Sequence, residues 1–105
     1  MPTTRIAGRP IDVNDEGFLT EYNQWDEELA VTLAGFAGLD ELSERHWEVL
    51  RFLRADYPGR NETATLRRVS AVGGFEMKEL FQLFPGKPAK MMSYIAGLPK
   101  PKGCV

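Results

Sequence analysis

The residue with the clearest chemical potential is Cys104, the only cysteine of the chain and its next-to-last residue. A structural cysteine is usually buried as a small apolar side chain, whereas chain ends stay solvated unless they are tied down. Pro99 and Pro101 stiffen the preceding segment into an extended arm. Lys100 and Lys102 favour the reactive thiolate, and the terminal carboxylate opposes them. We therefore predict a modestly activated thiol that becomes fully reactive only when it docks against positive charge.

Three further residues invite a role beside this thiol. Arg67 and Arg68 are candidate charge partners on a predicted helix, although an arginine pair is equally typical of a solvated helix face. His46 has the chemistry of a base for the thiol, but it lies on an inward helical stripe, where a hydrogen-bonded core histidine is the stronger interpretation. One cysteine and one histidine without closely spaced carboxylates do not make a metal site, so no metal is expected.

The composition limits the class of protein. With 105 residues, of which 43% are hydrophobic and 27% charged, the chain has material for one domain over residues 1–105. No apolar run approaches a membrane span and no leader is recognisable, so a soluble, unexported protein is expected. A lone cysteine excludes an intramolecular disulfide framework and suits a reducing cytoplasm. A net charge of −2 argues against non-specific nucleic-acid binding.

The N-terminal third predicts a hairpin and a helix. Residues 5–13 alternate apolar and polar side chains around Gly8-Arg9, the pattern of a small β-hairpin. The next apolar residues recur at helical spacing from about Trp25, with Asn23 as the expected cap and Gly38 as the stop. The expected inward stripe of this helix is Trp25, Leu29, Leu33 and Phe36.

Four more helices are predicted after it. Ser43 caps the second, which ends at Pro58-Gly59, and Thr63 caps a short third helix through about Val72. A turn at Gly73-Gly74 leads to a fourth helix over 75–84, and Pro88 opens a fifth that runs to Gly97. The second helix has the inward stripe His46, Val49, Leu50, Leu53 and Tyr57, and the expected packing residues elsewhere are Trp25, Trp47, Phe52, Phe84, Met91 and Met92.

The predicted fold class is α+β and mostly α: a small N-terminal β-hairpin, then a five-helix domain, then a flexible C-terminal arm over residues 98–105 that carries the cysteine. The segment 65–84 has the outline of a helix-turn-helix. Arg67, Arg68 and Lys78 would attract phosphate there, whereas Glu76 and Glu79 would repel it. Nucleic-acid binding therefore stays a minority alternative. For Met91 and Met92, facing a partner groove is the alternative to filling gaps in the core.

Several blocks of the sequence resemble the DsrC/TusE family of sulfur-carrier proteins. The tail from Ile95 to Val105 looks like the C-terminal signature of that family, and residues 46–54 and 83–89, together with Gln24-Trp25, resemble family blocks in the same order. Together they cover most of the chain. The resemblance implies the mostly helical α+β fold with a mobile arm. It also implies that Arg67 matches a basic family residue near which the retracted arm lays its cysteine.

The resemblance separates two branches at position 93. Members of dissimilatory sulfur metabolism carry a second cysteine eleven positions before the penultimate one, where this chain has Ser93. Without that partner, the resemblance leaves a persulfide on Cys104 as the sulfur-carrying state. This is the TusE-like arrangement. The ending Gly103-Cys104-Val105 looks closer to DsrC, so a single-cysteine paralogue serving sulfite reductase or sulfur oxidation stays open.

The function expected from these observations is a sulfurtransferase-type carrier. It accepts a persulfide on Cys104, with Arg67 stabilising the thiolate, and passes the sulfur along a relay towards 2-thiouridine at the tRNA wobble position. The implied donor is a complex of the TusBCD or DsrEFH type, and the implied acceptor is a tRNA-thiolating enzyme or sulfite reductase. No cofactor and no membrane are implied. The rival interpretation is a regulatory module of sulfur metabolism that contacts nucleic acid without transferring sulfur.

Overall fold

The computed structural model describes residues 3–102, and Cys104 lies outside that range. Within it, the chain forms a two-stranded hairpin followed by five helices, which confirms the predicted fold class. A short 3₁₀ turn, Tyr22–Gln24, precedes the first helix. The elements are β1 (Thr3–Ile6), β2 (Arg9–Asp12), α1 (Glu27–Phe36), α2 (Glu44–Arg60), α3 (Leu66–Ala71), α4 (Met77–Leu83) and α5 (Pro88–Ile95).

The hairpin turns one residue earlier than predicted. Ile6 pairs with Arg9, so the two turn residues are Ala7 and Gly8 rather than Gly8 and Arg9. Both have positive φ, 53° and 78°, which is the backbone of the tight turn that matches the twist of antiparallel strands. Ile6 and Ile11 are buried and join α1 in a small apolar cluster.

The start and the inward face of α1 differ from the prediction. The cap is Asp26, whose carboxylate accepts a 2.8 Å hydrogen bond from the backbone N–H of Leu29, and Asn23 belongs to the 3₁₀ turn instead. Phe36 does not share the inward stripe, because the buried face runs through Ala30 and Ala34, and its ring is 66% exposed. The residues of α1 that are buried are Leu29, Ala30, Leu33 and Ala34.

Helix α2 begins at the predicted cap, Ser43, but it does not end at Pro58-Gly59. It continues to Arg60 and stops at Asn61, whose φ of 55° breaks the helix. Proline is tolerated in the last turns because the carbonyl that loses its helical donor, that of Arg54, accepts a 2.6 Å hydrogen bond from the hydroxyl of Tyr22 instead. A side chain distant in sequence therefore compensates for the missing N–H.

The cap of α3 is Thr65 rather than the predicted Thr63. The Thr65 hydroxyl accepts a hydrogen bond from the backbone N–H of Arg68. Thr63 is buried and its hydroxyl points elsewhere, as described below. Helices α3 and α4 with the intervening Gly73-Gly74 form the predicted helix-turn-helix outline.

The main core lies between the five helices, α1 to α5. Phe84 and Met92 are fully buried there, while Trp25, Trp47 and Phe52 are partly buried and pack against it. The buried residues of this core are Ala30, Ala34, Val49, Leu50, Leu53, Ala64, Val69, Phe75, Leu80, Phe84, Met92, Ile95, Ala96 and Leu98. No helix within residues 3–102 has the length and apolarity needed to cross a membrane.

Candidate functional site

The described part of the C-terminal arm lies against the helical body. Leu98 is fully buried and Pro101 is buried, so apolar side chains hold the arm at two positions. Between them, the carbonyl of Pro99 accepts a 2.7 Å hydrogen bond from the hydroxyl of Thr63. The position of residues 98–102 is thus defined by the body, and the predicted mobility of the arm stays a prediction.

Two lysines of the arm make ion pairs with the body. The ammonium of Lys100 lies 3.0 Å from a carboxylate oxygen of Glu16 in the loop after the hairpin. Lys102 lies 3.4 Å from Glu62 at the end of α2, with its side chain 86% exposed. These lysines therefore bind the arm to the body, which the sequence analysis did not expect of them.

A cleft opens beside the point where the described arm ends. It has a volume of about 270 Å³ and shares Glu62 with the ion pair of Lys102 and Thr63 with the hydrogen bond of Pro99. Its lining residues are Arg60, Glu62, Thr63, Thr65, Arg67, Arg68 and Val72.

The two neighbouring arginines of α3 differ in this cleft. Arg68 donates two hydrogen bonds, of 3.0 Å and 2.6 Å, to the carboxylate of Asp56 on α2. These bonds hold the pKa of Asp56 below its usual value and raise that of Arg68. Arg67 is exposed and takes part in no ion pair within residues 3–102. Of the pair, Arg67 is the guanidinium left available to an anion in the cleft.

The base of the arm is held by side chains from α2 and from the segment before α1. The indole N–H of Trp25 donates to the carbonyl of Ile95 at 2.8 Å, and Arg54 donates to the carbonyl of Ala96 at 2.9 Å. The guanidinium of Arg54 stacks on two rings, 3.8 Å from the centroid of Tyr22 and 4.3 Å from that of Trp25. Burial lowers the pKa of Arg54.

Gly97 links α5 to the arm and is required by this packing. Its φ is +70°, a conformation that side-chain-bearing residues rarely adopt. A Cβ at this position would also collide with the ring of Trp25, lying 2.9 Å from its Cγ. The backbone of the arm base thus lies directly on the indole.

Ser93, where the family resemblance implies a second cysteine in some members, is fully buried in α5. Its hydroxyl donates a 2.7 Å hydrogen bond to the carbonyl of Ala89 in the preceding turn. Its own carbonyl accepts a 3.1 Å hydrogen bond from the N–H of Leu98, which closes the end of the helix. Ser93 thus has a local structural role.

His46 is committed to structure. Its Nδ1 lies 3.0 Å from the backbone nitrogen of Ser43, and its Nε2 lies 2.7 Å from the carbonyl of Leu83 at the end of α4. This pattern assigns the proton to Nε2, so the ring caps α2 and ties it to α4. The rings of His46 and Phe84 also pack edge to face, with their centroids 5.1 Å apart. The structure therefore favours the core interpretation over a base for the thiol.

Two of the five charged side chains in the helix-turn-helix segment 65–84 are paired among residues 3–102. Glu79 accepts two hydrogen bonds, of 2.8 Å and 2.7 Å, from Arg45 on α2, and Arg68 is held by Asp56. Lys78 is exposed. Hence Arg67 and Lys78 are the residues of the predicted phosphate-binding set that lack such a pair among residues 3–102.

Metal-ligating side chains and the methionine pair Met91 and Met92 are the two remaining candidate sites. No group of three metal-ligating side chains occurs within residues 3–102. Met91 is partly buried and lines a second cleft of about 230 Å³, whereas Met92 fills the core. The residues that line this second cleft are Glu16, Phe18, Ala37, Lys87, Lys90, Met91 and Tyr94.

Comparison with known protein families identifies the class of this molecule. The family model described as DsrC like protein matches residues 5–105, so the chain belongs to the DsrC-like family. This confirms the family resemblance read from the sequence.

Curated relatives point to one branch of that family. Sulfurtransferase TusE of Salmonella paratyphi A is 41% identical over 107 residues, covering 95% of this chain and 97% of the relative. Sulfurtransferase TusE of Escherichia coli K12 is 40% identical with the same coverage.

Solved structures point to the other branch. A chain in the crystal structure of dissimilatory sulfite reductase I (DsrI) superposes with a TM-score of 0.84 at 34% identity, covering 99% of this chain and 100% of that one. The solution structure of the Pyrobaculum aerophilum DsrC/gamma subunit of dissimilatory sulfite reductase gives a TM-score of 0.79 at 30% identity, covering 99% and 95%.

Proposed function

We propose that the protein is a TusE-like sulfur carrier that holds a persulfide on Cys104. The observation that supports this most directly is the path of the arm: it runs along the body to Lys102 and ends, as far as described, at the rim of the cleft lined by Arg67. Cys104 follows Lys102 by two residues, a reach of roughly 7 Å. This short reach and the neighbouring cleft support placing the sulfur near Arg67, whose guanidinium has no ion pair among residues 3–102.

The proposed chemistry is a thiol exchange without net oxidation or reduction. The Cys104 thiolate attacks the outer sulfur of a donor persulfide, R–S–SH; a new S–S bond forms and the S–S bond of the donor breaks. The donor leaves as a thiolate, which takes up a proton, and Cys104 now carries –S–SH. In the second step an acceptor thiolate attacks that outer sulfur and releases the Cys104 thiolate. No cofactor enters either step.

Arg67 has a defined role in this proposal. A guanidinium beside the sulfur favours the thiolate over the thiol before the exchange and the anionic persulfide after it, because the positive charge stabilises both anions. It is a stronger candidate than Arg68, whose guanidinium already pairs with Asp56. Arg68 instead fixes α3 against α2.

The curated relatives named sulfurtransferase support the transfer function and the TusE-like branch, as does Ser93, since a second redox cysteine is missing. On this basis we propose a donor complex of the TusBCD type and a tRNA-thiolating acceptor in a reducing cytoplasm. The structural likeness to sulfite reductase subunits keeps a DsrEFH-type donor and sulfite reductase as the second set of partners.

Intact-mass spectrometry tests the carrier function. We expect the protein to gain one sulfur atom when it is incubated with glutathione persulfide, and to lose that atom when excess acceptor thiol is added. The Cys104→Ser variant is the matched control and should gain none. A native protein that never gains sulfur, or a serine variant that gains the same mass, would contradict the proposal.

A further inference from the structure

We infer that Thr63 is a positioning residue for Cys104: its hydrogen bond to the Pro99 carbonyl directs the arm towards the cleft that Arg67 lines. The inference rests on the proposed function of Cys104. It adds the residue that sets where the thiol is placed, a role different from the helix-capping role that the sequence predicts for Thr63.

The first step of the argument is that the arm is fixed as far as Leu98. Trp25 and Arg54 occupy the carbonyls of Ile95 and Ala96, and the N–H of Leu98 is bonded to the carbonyl of Ser93. The Leu98 side chain is fully buried. Any swing of the arm must therefore begin at Pro99 rather than at the end of α5.

The second step is that the arm has few polar contacts beyond that point, where the buried Pro101 is its apolar contact with the body. Pro99 and Pro101 have no backbone N–H, so at these positions only donors from the body can bind the arm through its carbonyls. Thr63 supplies such a donor at 2.7 Å. The remaining polar contacts, Lys100 with Glu16 and Lys102 with Glu62, are surface ion pairs, which contribute little individually.

The third step concerns Thr63 itself. It is only 5% exposed and lines the same cleft as Arg67. Its partner carbonyl belongs to Pro99, an exposed residue, so once the arm moves away this carbonyl can bind water without disturbing the core. Removing the hydroxyl should therefore release the arm while the body stays folded, which is what separates positioning from general stability.

The experiment uses the full chain with Thr63→Val, which keeps the side-chain shape but lacks the hydroxyl, and Thr63→Ser, which restores it. The heteronuclear ¹H–¹⁵N NOE of the Lys100 and Lys102 amides reports whether the arm is docked. We expect values like those of the helices in the native protein and in Thr63→Ser, and clearly lower values in Thr63→Val. The docked-to-released ratio should fall about fivefold, as loss of a neutral hydrogen bond implies.

A matched control is Thr32→Val, which removes a hydroxyl–carbonyl contact within α1, away from the arm. It should leave the NOE of Lys100 unchanged. Thr63→Ala serves as a second hydroxyl-free variant if the valine disturbs folding, as judged by circular dichroism. Unchanged NOE values in a folded hydroxyl-free variant would overturn the inference.

The second readout links Thr63 to Arg67 through the pH midpoint of Cys104 alkylation by iodoacetamide. Thr63→Val should raise this midpoint, and it should add nothing in an Arg67→Ala background, because both changes remove the same thiolate environment. A lower NOE in Thr63→Val with an unchanged midpoint would show that Thr63 holds the arm but does not position the thiol. That result would overturn the inference. Failure to gain sulfur would instead refute the carrier function and leave the NOE result standing.

Discussion

The indole N–H of Trp25 donates a 2.8 Å hydrogen bond to the carbonyl of Ile95, joining residues 70 positions apart in the chain. Because this carbonyl belongs to the last residue of α5, the bond fixes the helix end from which the arm departs. The same ring lies against Gly97 and under the guanidinium of Arg54. One aromatic side chain thus organises the base of the arm.

The contact between Gly97 and Trp25 predicts a large effect of a single methyl group. Gly97→Ala should destabilise the protein by about 2–4 kcal/mol, because it adds a left-handed backbone penalty to a steric clash with the indole. Urea unfolding monitored by circular dichroism measures the loss. Gly35→Ala is the matched control: its Cβ meets nothing within 4 Å, and it should stabilise α1 by about 0.5–1 kcal/mol. Equal effects of the two substitutions would contradict the packing argument.

Arg67→Ala should raise the pKa of the Cys104 thiol, because removal of a nearby positive charge disfavours the thiolate. The pH dependence of alkylation gives this pKa, and helical content should not change because Arg67 is exposed. Arg51→Ala removes the same charge from an exposed site on α2 and should leave the thiol pKa where it was. An unchanged or lowered pKa in folded Arg67→Ala would assign Arg67 to the solvated surface.

Ser93→Cys should restore an intramolecular disulfide to a chain that lacks one. Under mild oxidant we expect a monomer without free thiols, whereas the native protein should form only intermolecular disulfides through Cys104. Because the Ser93 side chain is fully buried, closure needs the end of α5 to open, and we expect it to be slow. Non-reducing electrophoresis with thiol counting distinguishes the products. Dimers alone would show that the arm does not reach α5.

The Asp56–Arg68 pair predicts an acid-dependent loss of stability. The guanidinium lowers the pKa of Asp56 from its ordinary value of 3.8. The carboxylate therefore stays ionised to a lower pH in the folded state than in the unfolded chain. This stabilisation is present above pH 3.8 and disappears as the pH falls through the lowered pKa. Asp56→Asn should therefore be less stable than the native protein at neutral pH and nearly equal to it in strong acid.

Urea unfolding at neutral pH and in strong acid measures the difference in unfolding free energy between the native protein and Asp56→Asn. Asp40→Asn makes the same chemical change at an exposed carboxylate and should leave stability nearly unchanged at both. A gap between native protein and Asp56→Asn that persisted in acid would assign the effect to packing rather than to charge.

Much of the fold follows from local sequence patterns. The cap at Ser43 and the stripe of Val49, Leu50 and Leu53 place α2 correctly, because the signals of a helix start and a helical period lie within the segment itself. The predicted end at Pro58 was wrong for a reason that no local pattern contains. The hydroxyl that compensates for the proline belongs to Tyr22, which lies 32 positions from the carbonyl that accepts it.

The residues of the candidate site also fall into those that the sequence predicted and those that it did not. Cys104 and Arg67 were singled out from their residue types and the family resemblance, whereas Thr63 and Arg54 were missed as contacts of the arm. Thr63 and Thr65 are both residue types that cap helices well. The sequence alone does not show which hydroxyl caps α3 and which one donates to the carbonyl of Pro99. Nothing in the sequence around Arg54 indicates that its guanidinium stacks on two aromatic rings, because Tyr22 and Trp25 lie far from it in the chain.

The anchoring of Leu98 also sets the effective concentration of the thiol. When the contacts of residues 99–102 with the body are broken, six residues tether Cys104 to Leu98, a reach of roughly 20 Å at full stretch. A short tether of this kind gives the Cys104 thiol an effective concentration in the millimolar range within that radius. Beyond the radius the thiol cannot be reached. A partner docked on this protein therefore meets the sulfur many times before it dissociates, provided that its own reactive thiol lies inside the radius. A partner whose thiol is recessed more deeply cannot exchange sulfur with Cys104.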